Sequence, residues 1–134
     1  MGARKMSEIK VTVRNQVGEL ARVLGIATQA GVNVIAFCGY GRGGGGTEGE
    51  ILLVPDKPDK LEAAFQKEHI SFESSPVVAI LGASGKGMGA KMAEKFSKAG
   101  INILHSYAST TGSGDTTTIF RVEQPDAALK ALKT

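Results

Sequence analysis

The chain has 134 residues, 42% of them hydrophobic and 22% charged, enough for one compact domain of ordinary size or two very small ones sharing a core. Its net charge of +3 is scattered and only 5% of its residues are aromatic, unlike the basic faces and stacking platforms that bind nucleic acid. No apolar run reaches the roughly 18 residues of a membrane helix, MGARKMSEIK lacks a signal-peptide core, and one cysteine with two histidines excludes an internal disulfide and leaves a zinc site short of ligands. The expectation is a cytoplasmic protein with no structural metal, no cofactor, no nucleic-acid partner and no membrane association.

The basic stretch ARK at 3–5 reads as a solvated terminus. Ile9, Val11 and Val13 then alternate with Lys10, Thr12 and Arg14, the pattern of a half-buried strand. Residues 18–30, GELARVLGIATQA, set Leu20, Ala21, Leu24 and Ala27 at helical spacing, with Gly31 as the stop. VNVIAFCGY (32–40) is β-branched and aromatic and predicts a second strand. A glycine-rich turn leads into EILLV at 50–54, and Pro58 opens a helix, PDKLEAAFQKE, at a first-turn position where its missing N–H costs nothing. ISFES (70–74) completes a β-α-β-β-α-β unit.

The second half repeats the first. Gly31-Val32-Asn33-Val34-Ile35 matches Gly100-Ile101-Asn102-Ile103-Leu104, an offset of 100 − 31 = 69. At the same offset Gly18 falls on Gly87, Ala21 on Ala90, Ala30 on Ala99 and Val11 on Ile80. Pro58-Asp59 matches Pro125-Asp126 and Phe65 matches Leu132 at 125 − 58 = 67, the two lost residues falling in connections, where deletions are tolerated. Apolar pattern, helix stops and turn residues keep register together, which marks a tandem duplication. The expected domains are 1–76 and 77–134. The fold class is α+β, a ferredoxin-like β-α-β-β-α-β unit repeated twice with the last strand of the second repeat missing. That absence predicts an open apolar edge at VVAIL (77–81), an aggregation hazard unless a partner chain or the other repeat covers it, or the natural end is lacking.

GASGKGMG at 82–89 invites comparison with phosphate-binding loops. A P-loop needs four residues before its Gly-Lys pair and a hydroxyl after it; here two residues intervene and Gly87 follows Lys86. A dinucleotide fingerprint needs an acidic residue about 20 positions on, and the next strand, INILHSYAS, has none. By the repeat, GASGKGMG is equivalent to VRNQVGEL (13–20). Both are turns from a first strand into a helix, where unpaired backbone N–H groups hold a carboxylate as readily as a phosphate. The alternative is that these glycines only make a tight turn.

QVGELARVLGIATQAGVNVIAF (16–37) and GKGMGAKMAEKFSKAGINILHSYAS (85–109) resemble the ACT family, small regulatory domains of β-α-β-β-α-β form found on enzymes of amino-acid metabolism and as short tandem proteins. The family's turn, often written x-Pro-Gly-x-Leu-Ala, has Val17 and Lys86 in place of proline here. The likeness runs from about Ile9 to Leu132. It implies a non-catalytic regulatory protein that binds a small molecule, commonly an amino acid, where ACT domains meet. The contacts it implies are Asn15, Gln16, Val17, Gly18, Glu19 and Leu20 with Asn33 in the first copy. In the second they are Ser84, Gly85, Lys86, Gly87, Met88 and Gly89 with Asn102.

Backbone N–H groups at these turns suit an α-carboxylate, and the Asn15 or Asn33 side-chain oxygens suit an α-ammonium. The first copy, with its amide side chains, is the better ligand site; Asn33 and Asn102 have the alternative of bonding only local backbone. His105 and Tyr107 share a strand face and read as a packed pair, Cys38 as a small core residue, and GRGGGG (41–46) as a floppy hairpin end. A homodimer is expected from the open edge and from ligand sites at domain contacts. A ligand-free module regulating a partner enzyme is the competing reading.

Overall fold

The computed structural model of the chain describes residues 2–41, 46–83, 85–110 and 114–133. In chain order its elements are β1 (Gly2–Arg14), α1 (Glu19–Gln29), β2 (Val34–Gly41), β3 (Glu48–Pro55), α2 (Pro58–Lys67), β4 (Glu73–Ala83), α3 (Met88–Lys98), β5 (Ile103–Thr110), β6 (Asp115–Val122) and α4 (Pro125–Leu132). They are an α+β set, strands pairing antiparallel in each half. Two compact units result: Ser7–Ser75, and Met1–Met6 together with Pro76–Thr134.

In the unit Ser7–Ser75 the strand order is β2-β3-β1, so β2 is an edge. β1 pairs with β3 from Ile9↔Leu53 to Arg14↔Glu48, and β2 with β3 from Val34↔Pro55 to Gly41↔Gly49. Because both are antiparallel to β3, β1 and β2 run the same way, and the end of β1 lies level with the end of β2. The alternation of β1 puts Ile9 and Val11 into a core with Ile51, Leu53, Val23, Ala27, Leu61 and Phe65. A fully buried side chain such as Phe65 contributes about 1.5–3 kcal/mol. On α1 the buried face is Val23 and Ala27, whereas Leu20 and Ala21 are exposed. The first turn of the helix thus stands off the core, at the end of the sheet where the candidate site lies.

In the other unit β4 pairs with β6 from Val78↔Phe120 to Ala83↔Asp115, and β5 with β6 from Ile103↔Val122 to Thr110↔Thr116. Its core joins Val78, Ile80, Met92, Phe96, Phe120 and Ala128, with Phe96 and Phe120 edge to face at 5.0 Å.

Three expectations are corrected. ISFES and VVAIL are not separate strands, because β4 runs unbroken from Glu73 to Ala83 while 70–72 lie outside it. Pro76 does not interrupt it: proline's fixed φ is compatible with extended backbone, and the residue before a proline is itself driven extended. The stretch ARK is not a solvated tail, since Gly2–Met6 is the start of β1. Ala3 packs against the second core, and Lys5 Nζ lies 3.0 Å from an Asp126 carboxylate oxygen. Nor is VVAIL an open edge. β1 neighbours β4, and Gly2 comes so close that a Cβ there would lie 3.7 Å from the Leu81 carbonyl oxygen. The chain's own first residues supply the strand that the second repeat lacks, which removes the bare edge as a ground for dimerisation.

Candidate functional site

The turn between β1 and α1 is held by backbone bonds. The Asn15 N–H donates to the Thr47 carbonyl at 2.8 Å and the Gln16 N–H to the Arg14 carbonyl at 2.9 Å, tying the turn to the start of β3. Gly18 caps α1 with φ +92°, a left-handed conformation that side-chain-bearing residues adopt only at a cost. Its carbonyl accepts from the Arg22 N–H at 2.9 Å, and the first N–H groups of a helix have no partner within it and lie at the positive end of its dipole. Val17 is fully exposed at the tip.

A cleft of about 320 Å³ opens beside this turn, lined by Asn15, Gln16, Glu19, Leu20, Phe37, Tyr40, Gly41 and Glu50 among others. Leu20 on α1 and Phe37 on β2 are 40% and 50% exposed and form its apolar wall on the helix-covered face, whereas Tyr40, 45% exposed, takes the opposite face of β2 with Glu50. The Tyr40 hydroxyl donates to Glu50 Oε1 at 3.0 Å; burial, then the neighbouring Glu50 carboxylate, raise its pKa. Glu19 accepts from Arg22 Nε at 2.7 Å, and that bond foremost holds its carboxyl below the ordinary range. Asn15 lies over Gly41, where a Cβ would come within 2.9 Å of its side-chain nitrogen. The apolar wall, the Glu19 carboxylate and the Asn15 and Gln16 amides thus border one cleft at the start of α1.

Of the sequence-expected contacts, Asn15, Gln16, Glu19 and Leu20 line this cleft, and Val17 and Gly18 complete its turn. Asn33 does not join them. It precedes β2, at the Pro55 end of β3, and exchanges bonds with Asp56: its N–H donates to Oδ1 at 3.0 Å, its carbonyl accepts from the Asp56 N–H at 2.9 Å. Gly49 and Pro55 mark the two ends of the pairing, about 20 Å apart at strand rise.

In the second repeat Gly85, Lys86 and Gly89 are exposed around the Gly87 cap of α3 (φ +78°), whereas Met88 packs against the core. Ser84 lies outside the described residues. Asn102 sits as Asn33 does, its side-chain nitrogen donating to Glu123 Oε1 at 3.3 Å. Part of GRGGGG also lies outside the description. Cys38 is half-buried on β2 rather than in the core, and His105 stacks on Tyr107 at 6.2 Å.

Phe37, Tyr40, Gly41 and Glu50 were not singled out from the sequence. The available signal was the run AFCGY ending the second strand: in a parallel β1/β2 arrangement its far end must lie beside the first turn.

Turn, cleft and topology define a tandem ACT-like ferredoxin fold, as the sequence resemblance implied. No protein-family model matches the chain, and no curated protein matches it in sequence. Among solved structures it is similar to protein BT0572 from Bacteroides thetaiotaomicron, with 21% identity, 98% of this chain and 88% of that one covered and a TM-score of 0.84. It is also similar to the regulatory subunit of aspartate kinase from Thermus thermophilus in its ligand-free form (18% identity, 99% and 95% covered, TM-score 0.70). The corresponding subunit from Thermus flavus gives 20% identity, 99% and 95% coverage and a TM-score of 0.64. At these identities the likeness is one of fold.

Proposed function

We propose that this chain is a non-catalytic regulatory protein that binds a small amino acid in the first-turn cleft. The observation that carries the reading is the cleft itself, which Asn15, Gln16, Glu19 and the Leu20–Phe37 wall line at the start of α1. The N–H groups at the start of α1 take the ligand's α-carboxylate, Glu19 and the Asn15 oxygen take its ammonium, and the wall takes an apolar side chain. The aspartate kinase subunits it resembles in fold are regulatory by name, which supports the same role here. A separate enzyme is then the partner, and the cytoplasm its compartment. No described helix is long and apolar enough to cross a membrane.

The separation of Asn33 from the turn favours a homodimer. Two copies pairing antiparallel along their β2 edges would bring Asn33 of one beside the first turn of the other. Binding is tested by amide chemical shifts: titration with the cognate amino acid moves residues 15–20 and 37–41 first. Shifts confined elsewhere refute the site. The exposed Val17, Leu20 and Phe37 support a second reading, a ligand-free docking surface for the partner enzyme, which an unresponsive spectrum would favour.

A further inference from the structure

The two repeats differ inside their cores. In the first, Phe72 packs on the core and its ring lies 6.1 Å from that of Phe65. In the second, the residue at the same offset, 72 − 69 = 3, is Ala3, and the equivalent of Phe65 is Leu132. Both pack against the second core as their counterparts do against the first. Two phenyl rings have become a methyl and an isobutyl group, and a cavity of about 230 Å³ stands beside them.

Ile80, Met88 and Met92 line it together with Ala3 and Leu132. Methionine side chains are unbranched and adaptable, and reshape readily around a guest. The polar exceptions among its lining residues are Lys91 and Lys95. Lys95 stands where the first repeat has Ile26, a residue packed on the first core. It is half-buried, and its ammonium donates to the Leu132 carbonyl oxygen at 3.3 Å. One lysine in place of an isoleucine packed on the core, and a second one turn of helix away, give an apolar chamber a cationic rim.

We infer that this chamber is a second ligand site, taking a small aliphatic monocarboxylate. Its hydrocarbon tail lies among Ile80, Met88, Met92 and Leu132, and its carboxylate meets the ammonium groups of Lys91 and Lys95. Size agrees: an apolar cavity of about 150 Å³ already accommodates benzene, so this one has room for a chain of about six carbons. Charge agrees as well, since charge-assisted bonds to ammonium groups favour the carboxylate over a neutral or cationic head group. The first-turn cleft shares no residue with this chamber, so either site can fail without the other.

The probe is hexanoate, with hexanol and hexylamine as head-group controls, read by thermal shift and by methyl chemical shifts of the methionines. Hexanoate is expected to raise the melting temperature and to move Met88 and Met92, hexanol to act more weakly and hexylamine not at all. Ala3→Leu and Ala3→Phe, which fill the chamber, should abolish the response; Ala3→Leu decides if the larger side chain prevents folding. Lys91→Gln with Lys95→Gln should weaken hexanoate about tenfold and leave hexanol unchanged. No methionine shift with hexanoate in the unaltered protein overturns the inference. So does a response that survives Ala3→Leu, or hexylamine binding as well as hexanoate.

Discussion

Three helices of this chain end in the same way, and one of them does so at a cost. After α1 the N–H groups of Gly31 and Val32 donate to the carbonyls of Thr28 and Ala27. After α3 those of Gly100 and Ile101 donate to Ser97 and Phe96. This closure needs a left-handed residue just past the helix, and Gly31 and Gly100 supply it at φ +73° and +72°. After α2 the same bonds run from His69 to Gln66 at 3.1 Å and from Ile70 to Phe65 at 2.8 Å, but the left-handed residue is His69, φ +59°. A side chain in that conformation costs roughly 1–2 kcal/mol, and glycine's greater freedom in the unfolded chain returns about 0.5–1 kcal/mol of the relief. His69→Gly should therefore stabilise the protein by about 0.5–1 kcal/mol, a rise of about 2–4 °C in Tm for a chain of this size. Urea denaturation followed by circular dichroism measures it. His69→Ala keeps the strain and is the control, expected to gain nothing. Equal stabilisation by alanine and glycine, or none by glycine, would refute the reasoning.

Gly49→Ala should cost about 1–3 kcal/mol in the same assay, because its Cβ would lie 2.9 Å from the Tyr40 carbonyl oxygen, which the β2–β3 ladder holds in place. Phe96→Ala should cost about 3–5 kcal/mol, removing a fully buried ring packed edge to face with Phe120; a loss under 1 kcal/mol would mean the second core closes over the gap. The Lys10 ammonium is bound by Glu73 at 3.0 Å and Glu50 at 3.4 Å, and the Glu73 bond foremost raises its pKa above the ordinary 10.5. A raised folded pKa gives stability that is fully present below 10.5 and fades as pH climbs through the folded value. With Glu73 72% exposed, the effect is at most about 1 kcal/mol. Stability measured from pH 9 to 12 should show this alkaline loss, and Lys10→Met should flatten it.

The duplication was legible because it is written in residues that act locally: Gly31 and Gly100 stop helices, and Pro58 and Pro125 start them, whatever surrounds them. What was not legible depends on contacts distant in sequence. Nothing in GARKM announces a strand, since it is short, lacks β-branched and aromatic residues and shows no clear alternation; it becomes one because β4 lies beside it. ISFES and VVAIL read as two strands, yet β4 runs through Pro76 between them, since an extended chain tolerates a proline. Asn15, Gln16, Glu19 and Leu20 of the first turn border one cleft, but Asn33 was grouped with them by resemblance, and strand direction sends it to the far end of β3. Phe37 and Tyr40 were seen as strand formers only, because which face of an edge strand looks outward is decided by its neighbours.

The measurement that bears most directly on the proposed role is a thermal-shift panel of the common amino acids on the unaltered protein and on Asn15→Ala. Binding to the folded state stabilises it by about 2.7 kcal/mol at a hundredfold excess over Kd. Binding in the first-turn cleft should raise Tm with one amino acid or a small related set, an effect lost or much reduced in Asn15→Ala. A panel without response, or a response that Asn15→Ala leaves intact, would contradict it.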